Sequence, residues 1–347
     1  MRTRVLVLLI LLSVTVFAET PDELIKAGHW KRARVMIETA YAQNPKDVKP
    51  IVWMAQLKRV LGDLDGAQKL LEQAIAIDPN SFEAHFHLAD VMGDQLSKAS
   101  VLKQMSGAGK LRHEIELSVQ LKPSDIDAHW GLMQYYMQAP GIAGGSKDKA
   151  REQVAAISKI SPSWGFLAQA EFNNHEKQPA ADLYKQAYDA DPKNYNAVLA
   201  YANLALSQKN WDLGERLGRE MIQLDRGRSQ GYSALAFAYV SQKKWNDLDA
   251  ILADAEKNIP DSRAPFFNAG RALADTGFDN ARGERYLRYY LQQEPELNGT
   301  KFSRVHWRLG QIMEKSSRKA DAIAEYQTAV RLEPGFEPAQ KDLKRLK

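Results

Sequence analysis

Proline recurs along this chain at intervals that a single compact core would not impose, and that recurrence restricts the fold more than any other feature. Pro45, Pro79, Pro123, Pro162, Pro192, Pro260, Pro295 and Pro334 each follow an apolar-periodic stretch, as in AYAQNPKD, AIAIDPNS, AYDADPKN and AVRLEPGF. Pro192 and Pro260 lie 68 residues apart, twice 34, and Arg226 in QLDRGR falls at the midpoint. With Arg226 counted, the intervals run 34, 44, 39, 30, 34, 34, 35 and 39. A chain that restarts one pattern at this period grows by adding units, each burying its apolar face against the next.

The interior of a unit shows what is repeated. In IVWMAQLKRVLGDLDGAQKLLEQAIAIDP, 51–79, Ile51, Met54, Ala55 and Lys58 share one helical face. GDL makes a turn, and Ala67, Leu71 and Ala74 line a second helix. The small residues Ala55, Ala67 and Ala74 let the two helices approach closely. Proline closes the unit because it cannot continue a helix and restricts the residue before it.

This pattern resembles the tetratricopeptide repeat, a helix–turn–helix of 34 residues. The likeness recurs at Leu88 and Ala89, at Leu167 and Ala168, at Tyr201, Ala202 and Trp211, and at Leu235, Ala236, Tyr239 and Trp245. It is fullest at Leu309, Gly310, Ala322, Tyr326, Ala329 and Pro334. The resemblance implies an all-α, right-handed superhelical solenoid of about nine tetratricopeptide-like repeats over 19–336, closed by a polar capping helix over 337–347. Three departures stand out: a first helix reduced to a stub, Arg226 in place of a proline, and a shifted register between Ala264 and Pro295.

The N-terminus, MRTRVLVLLILLSVTVFAET, has the form of an export signal: Arg2 and Arg4, then an apolar run from Val5 to Val16, then small residues at Val16 and Ala18. The run is shorter than the roughly 20 residues that a spanning helix needs. The expectation is a signal peptide over 1–18, cleavage after Ala18, and a periplasmic or secreted protein with no membrane insertion once cleaved. No cysteine is present, which excludes disulfides, thiolate metal sites and cysteine nucleophiles. The net charge of +4 falls to +2 without Arg2 and Arg4, so nothing in the charge points to nucleic acid.

Two adjacent intervals, of 44 and 39 residues, exceed the period. The longer one predicts lengthened helices and an enlarged turn near 93–110, with a loop at Ser106–Gly109. The other predicts an enlarged turn at 139–147, in APGIAGGSKDKA. That glycine-rich run is not a phosphate-binding loop: Ser146 stands where the second glycine is needed, Asp148 where Ser or Thr is needed, and no strand precedes it. Its expected role is structural. Pro140 and Gly141 stop one helix, Gly144 and Gly145 turn the backbone at positive φ, and Ser146 caps the next helix. Such a turn resembles an insertion found in a group of exported bacterial repeat proteins.

No nucleophile motif or zinc-protease helix occurs, and the expected protein is not an enzyme and carries no cofactor. His85, His87 and His129 fall in adjacent units, but His85 and His87 point about 200° apart on a helix at 100° per residue. His85, His129 and His306 sit near the starts of first helices, where the repeat family favours a bulky packing residue.

In the family the first helices line a concave groove. The positions facing it are expected to be Phe86 and Asp90, Trp130 and Gln134, Gln169 and Phe172, Leu199 and Asn203, then Phe237, Phe267, Arg271, Trp307 and Gln311. Aromatics interleaved with amides and one arginine suit a protein partner, a peptide or helix held as an interface. The function expected is a non-catalytic interaction scaffold of the bacterial cell envelope. The alternatives are an enzyme or enzyme subunit acting on envelope polymers, and a soluble receptor for a small ligand. The export reading makes one measurable statement. N-terminal sequencing of the exported protein should begin at Glu19, and an intact Met1 would contradict it.

Overall fold

The computed structural model describes residues 19–297 and 299–346, so the expected signal segment, 1–18, lies outside the described residues. Among them are 19 α-helices and no strand. They form nine antiparallel pairs: α1 (Pro21–Ala27) with α2 (Trp30–Gln43), α3 (Val48–Val60) with α4 (Leu64–Ile77), and α5 (Phe82–Ser97) with α6 (Val101–Leu121). Next come α7 (Ile126–Gln138) with α8 (Lys147–Ile160), α9 (Pro162–His175) with α10 (Ala181–Ala190), and α11 (Tyr195–Ser207) with α12 (Trp211–Leu224). The last pairs are α13 (Ser229–Gln242) with α14 (Trp245–Asn258), α15 (Ala264–Thr276) with α16 (Asn280–Leu291), and α17 (Phe302–Lys315) with α18 (Lys319–Leu332). The amphipathic α19 (Glu337–Leu346) ends the array and buries little beyond Ala339.

Each pair closes through small side chains. Ala55, Ala67 and Ala74 are fully buried between α3 and α4, as the sequence pattern predicts. Between neighbouring units the approach can be closer still: where α12 meets α13, a Cβ on Gly218 would lie 2.9 Å from Leu235, and one on Gly231 3.2 Å from the Gly218 carbonyl oxygen. Successive first helices touch one another, as α11 with α13 and α13 with α15, whereas no pair of second helices approaches comparably. The array therefore curves with its first helices inside.

Two local devices repeat with the period. The regular turns between paired helices take a left-handed residue at Gly62, Lys177, Lys209, Lys243, Gly277 and Ser317. The turns between units are tied six residues on. His85 Nε2 pairs with the Pro79 carbonyl at 3.0 Å, and His129 Nε2 with that of Pro123 at 3.0 Å. The Tyr232 hydroxyl donates to the Arg226 carbonyl at 3.2 Å, so Arg226 occupies the turn position that proline fills elsewhere.

Three expectations need correction. Ser106–Gly109 is not a loop but lies within α6. The turn is at Lys98–Ser100, because Gly107 lets Leu96 pack against the α6 backbone and Ala108 is buried there. Gly145 does not take positive φ. Its hydrogen is needed for room, since a Cβ would fall 1.7 Å from the Ala139 carbonyl oxygen. Third, the extra residues before the last unit form the connection between Gln292 and Lys301 and not a shift inside α15 or α16. None of the described helices is long and apolar enough to cross a membrane.

A lysine held in the left-handed region is strained by its own Cβ, and glycine is not. Lys209, exposed and at φ 59°, is such a residue. Lys209→Gly should stabilise the protein by about 1 kcal/mol, read as a raised midpoint in urea unfolding.

Candidate functional site

The inner face is not uniform. Between α5 and α7 the first helices part, and a cleft of about 640 Å³ opens over α6. The ten-residue excess of this unit makes it: α5 and α6 run to 16 and 21 residues, past the length of their neighbours. The extra turn of α6 places Val101 and Met105 on one wall, and the enlarged turn after α7 brings Pro140, Ile142 and Ala143 to the mouth. Phe86 and Gln134 face this cleft from α5 and α7, and a Cβ on Gly93, at its floor, would meet nothing within 4 Å.

The turn at 139–146 holds its shape through backbone bonds and one phenol. Gly141–Ala143 make a single 3-10 turn, Gly144 follows at φ 92°, and the Ser146 side chain accepts from the Lys149 N–H at 3.3 Å. The Ser146 N–H donates to the Tyr136 carbonyl at 2.9 Å. The Tyr135 hydroxyl lies 2.7 Å from the Ala143 carbonyl and 3.0 Å from that of Ala108, so it ties the turn to α6 across the cleft. Burial pushes the Tyr135 pKa up, and that of Tyr136, which also bonds Glu116, is pushed up to about 12. Both phenols stay donors through the neutral range.

The cleft carries little net charge. Arg59 bridges Asp90 at 2.8 Å and Asp94 at 2.7 Å. Burial opposes the charge on Arg59, but the two carboxylates outweigh it and hold its pKa above the ordinary value. Around this closed set the exposed large side chains are aliphatic: Val101 is 71% exposed, Leu102 79% and Ile142 84%.

A second hollow, of about 480 Å³, lies on α11, α13 and α15 and brings Leu199, Asn203, Phe237 and Arg271 together. Phe237 packs on Trp211 at 6.0 Å, and the Arg271 guanidinium lies 5.8 Å from the Phe237 ring. The Arg271 Nε is buried without a partner.

The other expected groove residues sit elsewhere. Phe172 is 2% exposed, in the core shared with α8, under Arg151. Phe267 is 8% exposed and packs on Tyr290 at 5.6 Å. Neither is available to a partner. Trp130 is half-buried, edge-on to Trp164 at 6.0 Å where the fourth and fifth units meet. Trp307 donates its indole N–H to Asp342 at 2.8 Å and packs on Phe336, so α19 holds it. Gln311 lines a separate charged hollow of about 370 Å³ with Glu314 and Arg345. The histidines at the starts of first helices are structural: besides the proline carbonyls, His85 bonds Glu114 at 2.6 Å, His129 bonds Gln153 at 2.8 Å and His306 bonds Glu325 at 2.6 Å. Among the described residues no His, Asp and Glu come together as a metal site.

Comparison with known proteins agrees with this architecture. Residues 24–89 and 167–229 each match a tetratricopeptide-repeat model. The fold is a tetratricopeptide-repeat solenoid. Over 87% of its length the chain is 23% identical to mouse tetratricopeptide repeat protein 21B, of which it spans 24%. Yeast Tom70 superposes with a TM-score of 0.50 at 12% identity, covering 94% of this chain and 86% of that one. A tetratricopeptide repeat protein from Parabacteroides merdae gives 0.46 at 12% identity, over 86% and 98%. Proteins built on tetratricopeptide repeats generally mediate protein–protein interaction.

The tetratricopeptide pattern alone missed the cleft's aliphatic wall. Its signal is the surplus itself: Val101 and Met105 are apolar residues on added helical turns that no neighbouring unit covers. The phenol tie gives a test. Tyr135→Phe should cost about 1 kcal/mol and speed amide exchange at Ser146 and Gly145 selectively, measured by hydrogen exchange.

Proposed function

We propose that this chain is a non-catalytic protein-interaction scaffold, exported to the periplasm or secreted, and that it binds a helical or extended partner segment along its inner face. The observation that carries the reading is the α5–α6–α7 cleft. It joins two expected groove residues, Phe86 and Gln134, to the enlarged turn at 139–147 in one apolar, solvent-open surface. Exposed aliphatic patches of this kind on a solenoid mark interaction surfaces.

The lining states what the segment should carry. Arg59 pairs with both Asp90 and Asp94 and offsets one of the two carboxylates, and the rest of the lining is uncharged, so acidic side chains are disfavoured here and apolar ones fill the cleft. Gln104, Gln134 and Gln138 supply amide groups for the segment's backbone. At the second hollow, Arg271 and Asn203 offer donors to a carboxylate. The apolar run from Val5 to Val16 supports export.

Gly93→Leu separates binding from folding. The position is helical, and its Cβ would enter open cleft, so stability should be kept or raised by up to about 1 kcal/mol while the cleft is filled. A partner captured from an envelope extract and then titrated should lose affinity at least tenfold, roughly 1.4 kcal/mol, with an unchanged or higher Tm. Full affinity in Gly93→Leu would remove the cleft as the seat of binding.

A further inference from the structure

The superhelix brings its first unit back onto its later ones. Gly28, in the left-handed region at φ 90°, turns the chain between α1 and α2 so that His29 points away from its own unit. His29 is 4% exposed, and its Nδ1 lies 3.0 Å from the carboxylate of Asp261, in the turn before α15 and 232 residues away. Its other edge faces the backbone at Gly227, in the turn before α13. Lys31 Nζ donates to the Glu294 carbonyl at 2.8 Å. Leu297, in the connection before α17, packs against the core that Leu24, Ala33 and Ile37 of the first unit form with Leu57 of α3. Above these contacts a cavity of about 680 Å³ is shared between Ala27–Trp30 and the starts of α13, α15 and α17.

We propose that these contacts form a pH-sensitive clasp that closes the superhelix into a ring, with the His29–Asp261 pair as its titrating element. The closing surface is small: two side-chain bonds, the edge of His29 on the Gly227 backbone and one leucine join units that neighbour-to-neighbour stacking does not otherwise hold together. Removing the charge of one buried partner therefore removes a large share of what keeps the ring shut.

The charged surroundings fix the sign. His29 faces Asp261 from the turn before α15 and Asp225 from the turn before α13. Arg228 pairs with Asp225 at 3.0 Å, Arg32 of α2 adds positive charge near Asp261, and Glu296 is engaged by Ser262 and by the Arg263 N–H. The Asp261 hydrogen bond raises the His29 pKa above its ordinary value, against burial. Burial raises the Asp261 pKa, but the His29 contact outweighs it and the net shift is down. The histidine's contribution is complete below its unfolded pKa and is lost as pH rises through the raised one. The carboxylate's is complete above its unfolded pKa and is lost as pH falls through the lowered one. The clasp is thus shut in mildly acidic solution and opens toward alkaline pH.

Ser229, Gln230 and Ala264 border both the clasp cavity and the Arg271 hollow, so the clasp stands at one end of that hollow. What opening does to a partner depends on the binding role argued above; the closure itself does not.

The chain has no cysteine, so two can be introduced and labelled cleanly. Ala42→Cys on α2 and Ala253→Cys on α14 are exposed and outside the contact. Energy transfer between dyes on this pair reads closure directly, without any partner. Transfer should fall between pH 6 and pH 9 in the parent. It should start low and lose its pH response in His29→Gln and, separately, in Asp261→Asn, a near-isosteric change in a turn outside the helices, with helicity by circular dichroism unchanged. Constant transfer across that range in the parent, or an undiminished pH response in both variants, would overturn the clasp. A partner that binds with the same affinity to open and closed forms would leave the clasp standing and bear only on the binding role.

Discussion

The close approach of paired helices through side chains no larger than alanine is the constraint on which the rest of this molecule depends. Where Ala55 meets Ala67 and Ala74 the backbones come near enough for the pair to behave as one rigid block, and where Gly218 faces Gly231 one block seats equally closely on the next. Stacking such blocks leaves the first helices in contact with one another and the second helices spread, and curvature follows. Curvature gives an inner face, and it also carries the first unit round to the seventh and eighth. Larger residues at these positions would widen the pairs and straighten the array.

The same rigidity explains why extra residues accumulate where they do. A regular unit has no room within the pair, so surplus chain lengthens helices at their free ends or enlarges a turn. The third unit does the first, with α6 at 21 residues, and the fourth does the second, with Gly141–Ala143. Both excesses lie on the same edge of the solenoid, and Tyr135 joins them by reaching from α7 to the carbonyls of Ala108 and Ala143. The cleft is the gap left between two units that a third helix holds apart.

Polar groups do different work at the two scales. Within units they secure turns: His85, His129 and Tyr232 satisfy carbonyls at the unit boundaries that no helix can reach. Between distant units the buried pair of His29 with Asp261 joins Lys31 and Leu297 in closing a superhelix that neighbour-to-neighbour stacking leaves open. The first kind repeats with the period and the second does not, because a ring closure occurs once.

What the sequence determined by itself was the unit: its helix–turn–helix form, its boundaries at proline, the equivalence of Arg226 to proline, and the small residues on which the pairs close. These follow from local backbone rules and a 3.6-residue period, and both act within about 34 residues. Which inner-face residues are free was decided only in the tertiary structure. Phe86 and Phe172 read alike along the chain, yet one borders a cleft and the other is core, because a helical aromatic's exposure depends on the distance to the next unit. Phe267 is buried by Tyr290 and Trp307 is held by α19, both neighbours set by stacking. The ring closure is the extreme case. His29 and Asp261 are separated by 232 residues, and only the accumulated rotation of every intervening pair brings them within 3.0 Å.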